Sequence, residues 1–115
     1  MKSLLACLFC LAIAQLGAAT APVAKSATVS AVEGTATIAI SLEATDAEND
    51  ALTYEVTVPP TQGTVAYTYP QYIAQYPSYT RYQTYTCKAG FIGTDTFKFT
   101  AKDAALTSNT ATITI

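Results

Sequence analysis

The chain has 115 residues, enough for one domain, and a formal net charge of −2 from 6 Lys and Arg against 8 Asp and Glu. Positive side chains after residue 19 are scattered singly, so the clustered Lys and Arg of a phosphate-binding surface are absent and nucleic acid is excluded as a partner. The chain contains no histidine, which excludes Ser-His and Cys-His catalysis and zinc sites built on histidine.

Residues 1–19 read as a secretory signal peptide. Lys2 supplies a short basic region, Leu4 to Leu16 is apolar except at Gln15, and Gly17 and Ala19 are the small residues of a cleavage site after Ala19. The apolar run is shorter than the ~20 residues a spanning helix needs, and nothing after it is long and apolar enough to span a membrane. Cys7 and Cys10 leave with the signal. Cys87 then stands alone, either as a buried thiol or as one half of a disulfide between chains.

Residues 20–115 form one domain rich in Thr, Val, Ile, Tyr and Ala, residue types that suit a half-buried pleated surface. Short alternating runs separated by turns predict strands. Ala27 to Ala31 is a weak first run, and Glu33-Gly34 makes a turn. Thr35 to Leu42 places Ile38, Ile40 and Leu42 on one face. Leu52 to Val58 turns Leu52, Tyr54, Val56 and Val58 inward, and Pro59-Pro60 ends it because proline cannot donate to a ladder. Gly63 to Tyr69 and Tyr79 to Cys87 follow. Thr94 to Lys102 aligns Phe97, Phe99 and Ala101, and Thr110 to Ile115 turns Ile113 and Ile115 inward. No apolar period of 3.6 residues reaches helical length after residue 19. The expectation is an all-β sandwich or barrel.

Between the second and third runs, Asp46, Glu48 and Asp50 alternate in a turn. Positions i, i+2 and i+4 of an extended chain share one side, so the turn gathers carboxylates at one end of a sheet. Calcium takes six to eight oxygens, often from such closely spaced carboxylates. Loops converge at the end of a sandwich, so Asp103 is a candidate fourth ligand. The competing expectation is a solvated turn in which Asp46 or Asp50 caps backbone amides.

A second feature is the tyrosine-rich stretch over about residues 66–86, with Tyr67, Tyr69, Tyr72, Tyr76, Tyr79, Tyr82 and Tyr85. Pro70 and Pro77 exclude a regular helix. Tyr76, Tyr79, Tyr82 and Tyr85 repeat every three residues, which would form one stripe in a polyproline-II segment and would split between faces in a strand. Tyr69, Tyr72, Tyr76, Tyr79 and Tyr82, with Arg81 over a neighbouring ring, are the expected interaction surface. The competing expectation is a hairpin whose tyrosines pack on their own sandwich. Outward Thr and Ser positions suit strands, or O-glycosylation.

The pieces Ala21 to Ala24, Val32 to Thr35, Ala44 to Tyr54, Pro59 to Thr64, Ala89 to Phe97 and Ser108 to Ile115, in that order, resemble the bacterial Ig-like and cadherin-like repeats of extracellular adhesins. The resemblance implies a seven-stranded antiparallel Ig-like β-sandwich, secretion to the cell surface, and adhesive or scaffolding roles without catalysis. Glu33 matches a cadherin-like acidic position. Repeats of that kind stand in tandem, with a shorter segment where this chain has its tyrosine insertion and often a proline where it has Cys87. The expected function is a secreted structural or adhesive subunit that assembles with copies of itself head to tail into a fibre or surface layer, either through exposed edge strands or through its leading segment Thr20 to Val32 donated to a neighbour. The alternative is a soluble carbohydrate- or protein-binding module, with or without calcium.

Overall fold

Period-two alternation decides which way each strand faces, and the facing apolar rows decide which strands stack. The computed structural model describes residues 19–31 and 37–115. The signal segment, Glu33 and its turn lie outside the described residues, apart from Ala19.

Among the described residues, nine short strands run in order: β1 (Val23–Ala24), β2 (Ala27–Thr28), β3 (Thr37–Ser41), β4 (Ala44–Thr45), β5 (Thr53–Val58), β6 (Gly63–Tyr67), β7 (Tyr82–Cys87), β8 (Thr96–Lys102) and β9 (Ala111–Thr114). One sheet has the order β2-β9-β8-β5, and the other β3-β7-β6. A two-residue ladder joins β1 to β4. Taking β1 and β2 as halves of one edge strand, and β4 as a continuation of β3, the path is that of a seven-stranded Ig-like sandwich. Each ladder is antiparallel except the short one between β2 and β9, which is parallel. The leading segment expected to reach a neighbour is seated through β1 and β2 on its own domain.

The core lies between the two sheets. Ile40, Leu42 and Tyr85 come from one side, and Tyr54, Phe97, Phe99, Ala101, Ala111 and Ile113 from the other. Phe99 and Leu42 are fully enclosed, and the Tyr54 and Phe99 rings lie 6.2 Å apart. Ile38, Val56 and Ile115 are half-buried at the margin. Val58 departs from the inward row expected of it and is exposed. The cause is a bulge: Val56 faces Phe99 and Val58 faces Lys98, so two residues of β5 advance against one of β8 and the alternation turns over.

The strand expected over Tyr79 to Cys87 begins only at Tyr82, and β6 stops at Tyr67. Two 3₁₀ turns, Pro70–Tyr72 and Pro77–Arg81, fill the interval. Each has proline at its start, where a fixed φ is already suitable and a missing N–H costs nothing. Neither a polyproline-II stripe nor a simple hairpin forms.

Candidate functional site

The strand registers bring the acidic turn and the tyrosine insertion to one end of the sandwich. Ser41 pairs with Tyr82, Tyr67 with Gln83, and Thr53 with Lys102. Hydrogen bonds then tie the insertion across the sheets. Leu42 N–H donates to Arg81 O at 2.8 Å, and Tyr54 N–H donates to Thr80 Oγ1 at 2.7 Å. Thr80, itself buried, donates to Pro77 O at 2.7 Å, and buried Gln83 donates through Nε2 to Thr80 O at 2.7 Å. The insertion is therefore bolted to the core by polar groups while its rings stay outside.

Those rings form one cluster around Tyr79. Its centroid lies 5.5 Å from Tyr76, 5.6 Å from Tyr72, and 5.8 Å from both Tyr69 and Tyr82. Tyr69 also meets Tyr72 at 6.4 Å and Tyr82 at 5.8 Å. Tilted and edge-on pairs of this spacing suit the ring quadrupoles. Tyr69, Tyr72, Tyr76 and Tyr82 remain 36–46% exposed, so the cluster is a surface rather than a second core. The Arg81 guanidinium lies 5.6 Å from the Tyr82 ring centre, and its Nε is enclosed without a partner. Tyr67 is exposed, whereas Tyr85 turns inward and is buried.

In the acidic turn, carboxylate oxygens of Asp46, Glu48 and Asp50 lie within 4.8 Å of one another. Local bonds explain the shape. Asp46 accepts Asp50 N–H at 2.8 Å and Glu48 N–H at 3.3 Å, and Asn49 takes the left-handed backbone (φ 56°) that asparagine tolerates. Glu48 accepts from Thr20 through its N–H at 2.7 Å and its Oγ1 at 2.9 Å, so the leading segment is clamped at this end. Asp46, Asn49 and Asp50 line an open hollow with Ala44, Thr45 and Leu52. Lost hydration, then the charges of Asp46 and Asp103, push the Asp50 carboxyl above its usual range. Asp103 is held below its range by the N–H groups of Leu106 and Ala105, each 2.7 Å from its Oδ1. Its Oδ2 is enclosed without a partner. Asp103 thus lies within electrostatic reach of Asp50 but outside the close trio.

Cys87 lies at the opposite end, half-buried and unbridged. Its Sγ sits 3.4 Å from Lys88 O and 3.9 Å from Phe91 O. The same end holds a group that no motif in the sequence marks. Asp95 is buried and accepts four hydrogen bonds: Thr61 N–H at 3.2 Å, Gln62 N–H at 3.0 Å, Thr96 N–H at 2.9 Å and Tyr85 OH at 2.8 Å. Burial, and then this carboxylate, raise the Tyr85 phenol well above its ordinary value. The signal was present in the phase of β8. Asp95 and Asp103 continue the inward row of Phe97, Phe99 and Ala101, so both acids fall on the core face.

Two stacked sheets with loop-borne surfaces at each end define an Ig-like β-sandwich module. A family model described as bacterial Ig domain matches residues 19–115, and the chain belongs to that family. Domains of this family are structural and adhesive surface modules and are generally non-catalytic. No curated protein and no solved structure matches the chain. Among the described residues, no helix is long and apolar enough to cross a membrane.

Proposed function

We propose that this chain is a secreted structural subunit that assembles with copies of itself into an extracellular fibre or surface layer. Residues 1–19 act as the signal that exports it. The observation that carries the reading is the tyrosine cluster. An insertion bolted to the core by Thr80 and Gln83 leaves Tyr69, Tyr72, Tyr76 and Tyr82 outside, where a contiguous aromatic surface favours contact with another molecule. Light scattering and negative-stain microscopy of the processed protein test it. Long polymers are expected, and a monomer at every concentration refutes it.

A second reading, a glycan- or protein-binding module, draws support from the same rings, since tyrosine faces and Arg81 suit stacking on a sugar. Calcium fits either reading. The acidic turn offers only hard oxygen donors, and the enclosed Oδ2 of Asp103 lacks a partner. Asp46, Glu48 and Asp50 would hold the ion, with Asp103 beside them, and the ion would stiffen the loop end. Cys87 joins chains only if its loop opens, because its sulfur is half-buried against Phe91 O.

A further inference from the structure

The end of the sandwich opposite the tyrosines carries its own apolar projection. Ile92 is 72% exposed, more than any other large apolar side chain among the described residues. The loop that presents it is shaped. Gly90 and Gly93 take positive φ values of 77° and 142°, and Phe91 N–H donates to Lys88 O at 3.1 Å. A side chain at Gly93 would sit 3.3 Å from the Phe91 ring, so the two residues flanking Ile92 pack closely together. Lys88 N–H donates to Gln62 O at 2.9 Å, and Gln62 N–H donates to Asp95, which ties the loop to the start of β8. Val58 is also exposed at this end, opposite Lys98 in the β5–β8 ladder.

The charges of the two ends are complementary. Lys88 and Lys98 are exposed at the Ile92 end, where Asp95 is buried and fully bonded, and the exposed Glu55 stands mid-strand opposite Thr100, between Lys98 and Lys102. The tyrosine end carries Glu43, Asp46, Glu48, Asp50 and Asp103, against Lys25, Arg81 and Lys102. The acidic end also bears the exposed rings, and the basic end bears the exposed isoleucine.

We propose that the tyrosine cluster of one copy receives the Ile92 loop of the next, with Lys88 and Lys98 facing its acidic turn. This rests on the reading that copies assemble, and it names the two surfaces involved. They lie at opposite ends of the domain, so the contact is heterologous. Adding a copy leaves one of each surface free, so the series extends beyond a pair. Ring faces around Tyr79 offer a broad apolar seat, and Ile92 is the side chain best exposed to enter it.

The test uses the processed protein and two variants, Ile92→Asp and the pair Tyr72→Ser with Tyr76→Ser. All these positions are exposed, and circular dichroism with melting curves checks that each variant keeps the fold. Wild-type protein should form polymers by light scattering and microscopy. Each variant should need at least about tenfold more protein to do so, a change of about 1.4 kcal/mol per contact. The two variants mixed one to one should form a discrete pair and nothing longer, because only one productive contact remains between them. Wild-type polymers that shorten with added salt would further support the charge pairing. Polymers unaffected by either variant overturn this contact while self-assembly stands. A wild-type monomer whose tyrosine face instead captures a glycan overturns both.

Discussion

The buried carboxylate of Asp95 gives the sharpest test of how this sandwich is held at the Ile92 end. Replacing it in Asp95→Ala strands four donors at once: Thr61 N–H, Gln62 N–H, Thr96 N–H and Tyr85 OH. A hydrogen bond to a charged group contributes ~1.5–3 kcal/mol, but four bonds sharing one acceptor do not add. Thr61 and Thr96 are exposed residues and Gln62 is half-exposed, so water can reach their N–H groups after small shifts. Tyr85 is only 2% exposed, and its hydroxyl has no such relief. The expected loss is therefore about 3–4 kcal/mol, or roughly 15 °C or more in Tm for a domain of this size. Thermal and urea unfolding followed by circular dichroism would measure it. Tyr85→Phe alone should cost less, about 1–2 kcal/mol, because Asp95 keeps three donors. In that background Asp95→Ala should cost about 1–2 kcal/mol less than it does in wild type, the coupling between the two groups. A loss under about 1 kcal/mol for Asp95→Ala, or strict additivity with Tyr85→Phe, would refute the view that this carboxylate organises the corner.

Other outcomes follow from the same geometry. Gly63→Ala should destabilise strongly, by about 2–4 kcal/mol, because its Cβ would meet the Thr86 backbone oxygen and the Tyr85 ring too closely for β6 and β7 to keep their spacing. Normal unfolding of that variant would show the ladder to be softer than described. Phe99→Ala, at a fully enclosed position, should cost about 3–5 kcal/mol in denaturant melts. Asp50→Asn should raise the melting temperature at neutral pH. The folded state lifts the Asp50 pKa, so the ionised carboxylate opposes folding above that range and the opposition disappears as pH falls below it. A gain that persists unchanged at pH 3 would contradict this. Added calcium should raise the wild-type Tm and have little effect on Asp50→Asn, whereas equal melting in calcium and in chelator would remove the metal from consideration.

Much of the architecture was legible in the one-dimensional pattern. Ile40 and Leu42, Leu52 and Tyr54, Phe97, Phe99 and Ala101, and Ile113 all fall on the face that alternation assigns them. The reason is mechanical. A pleated strand has no freedom to point neighbouring side chains the same way, so composition and phase settle the burial together. Val58 escaped this because a bulge is a property of the pair β5–β8 and leaves no mark on either strand alone. Asp95 was readable in phase but not by type, since a carboxylate on a core face implies donors whose positions depend on other strands.

The tyrosine stretch marks where local reading stops. Its residues exclude a helix and promise rings, yet their spacing is compatible with a stripe, a split or a hairpin. What selects two 3₁₀ turns is the anchoring of Thr80 to the N–H of Tyr54, 26 residues earlier in the chain, and of Arg81 O to Leu42 N–H. Those bonds exist only once the two sheets have stacked. By itself, then, the sequence determined the strands, their inward faces and the carboxylates of the acidic turn, because these follow from the local period of the backbone. The tertiary structure alone decided that the tyrosines gather around Tyr79, that Thr20 locks onto Glu48, and that Ile92 stands at the far end, because each depends on residues brought together across the sandwich.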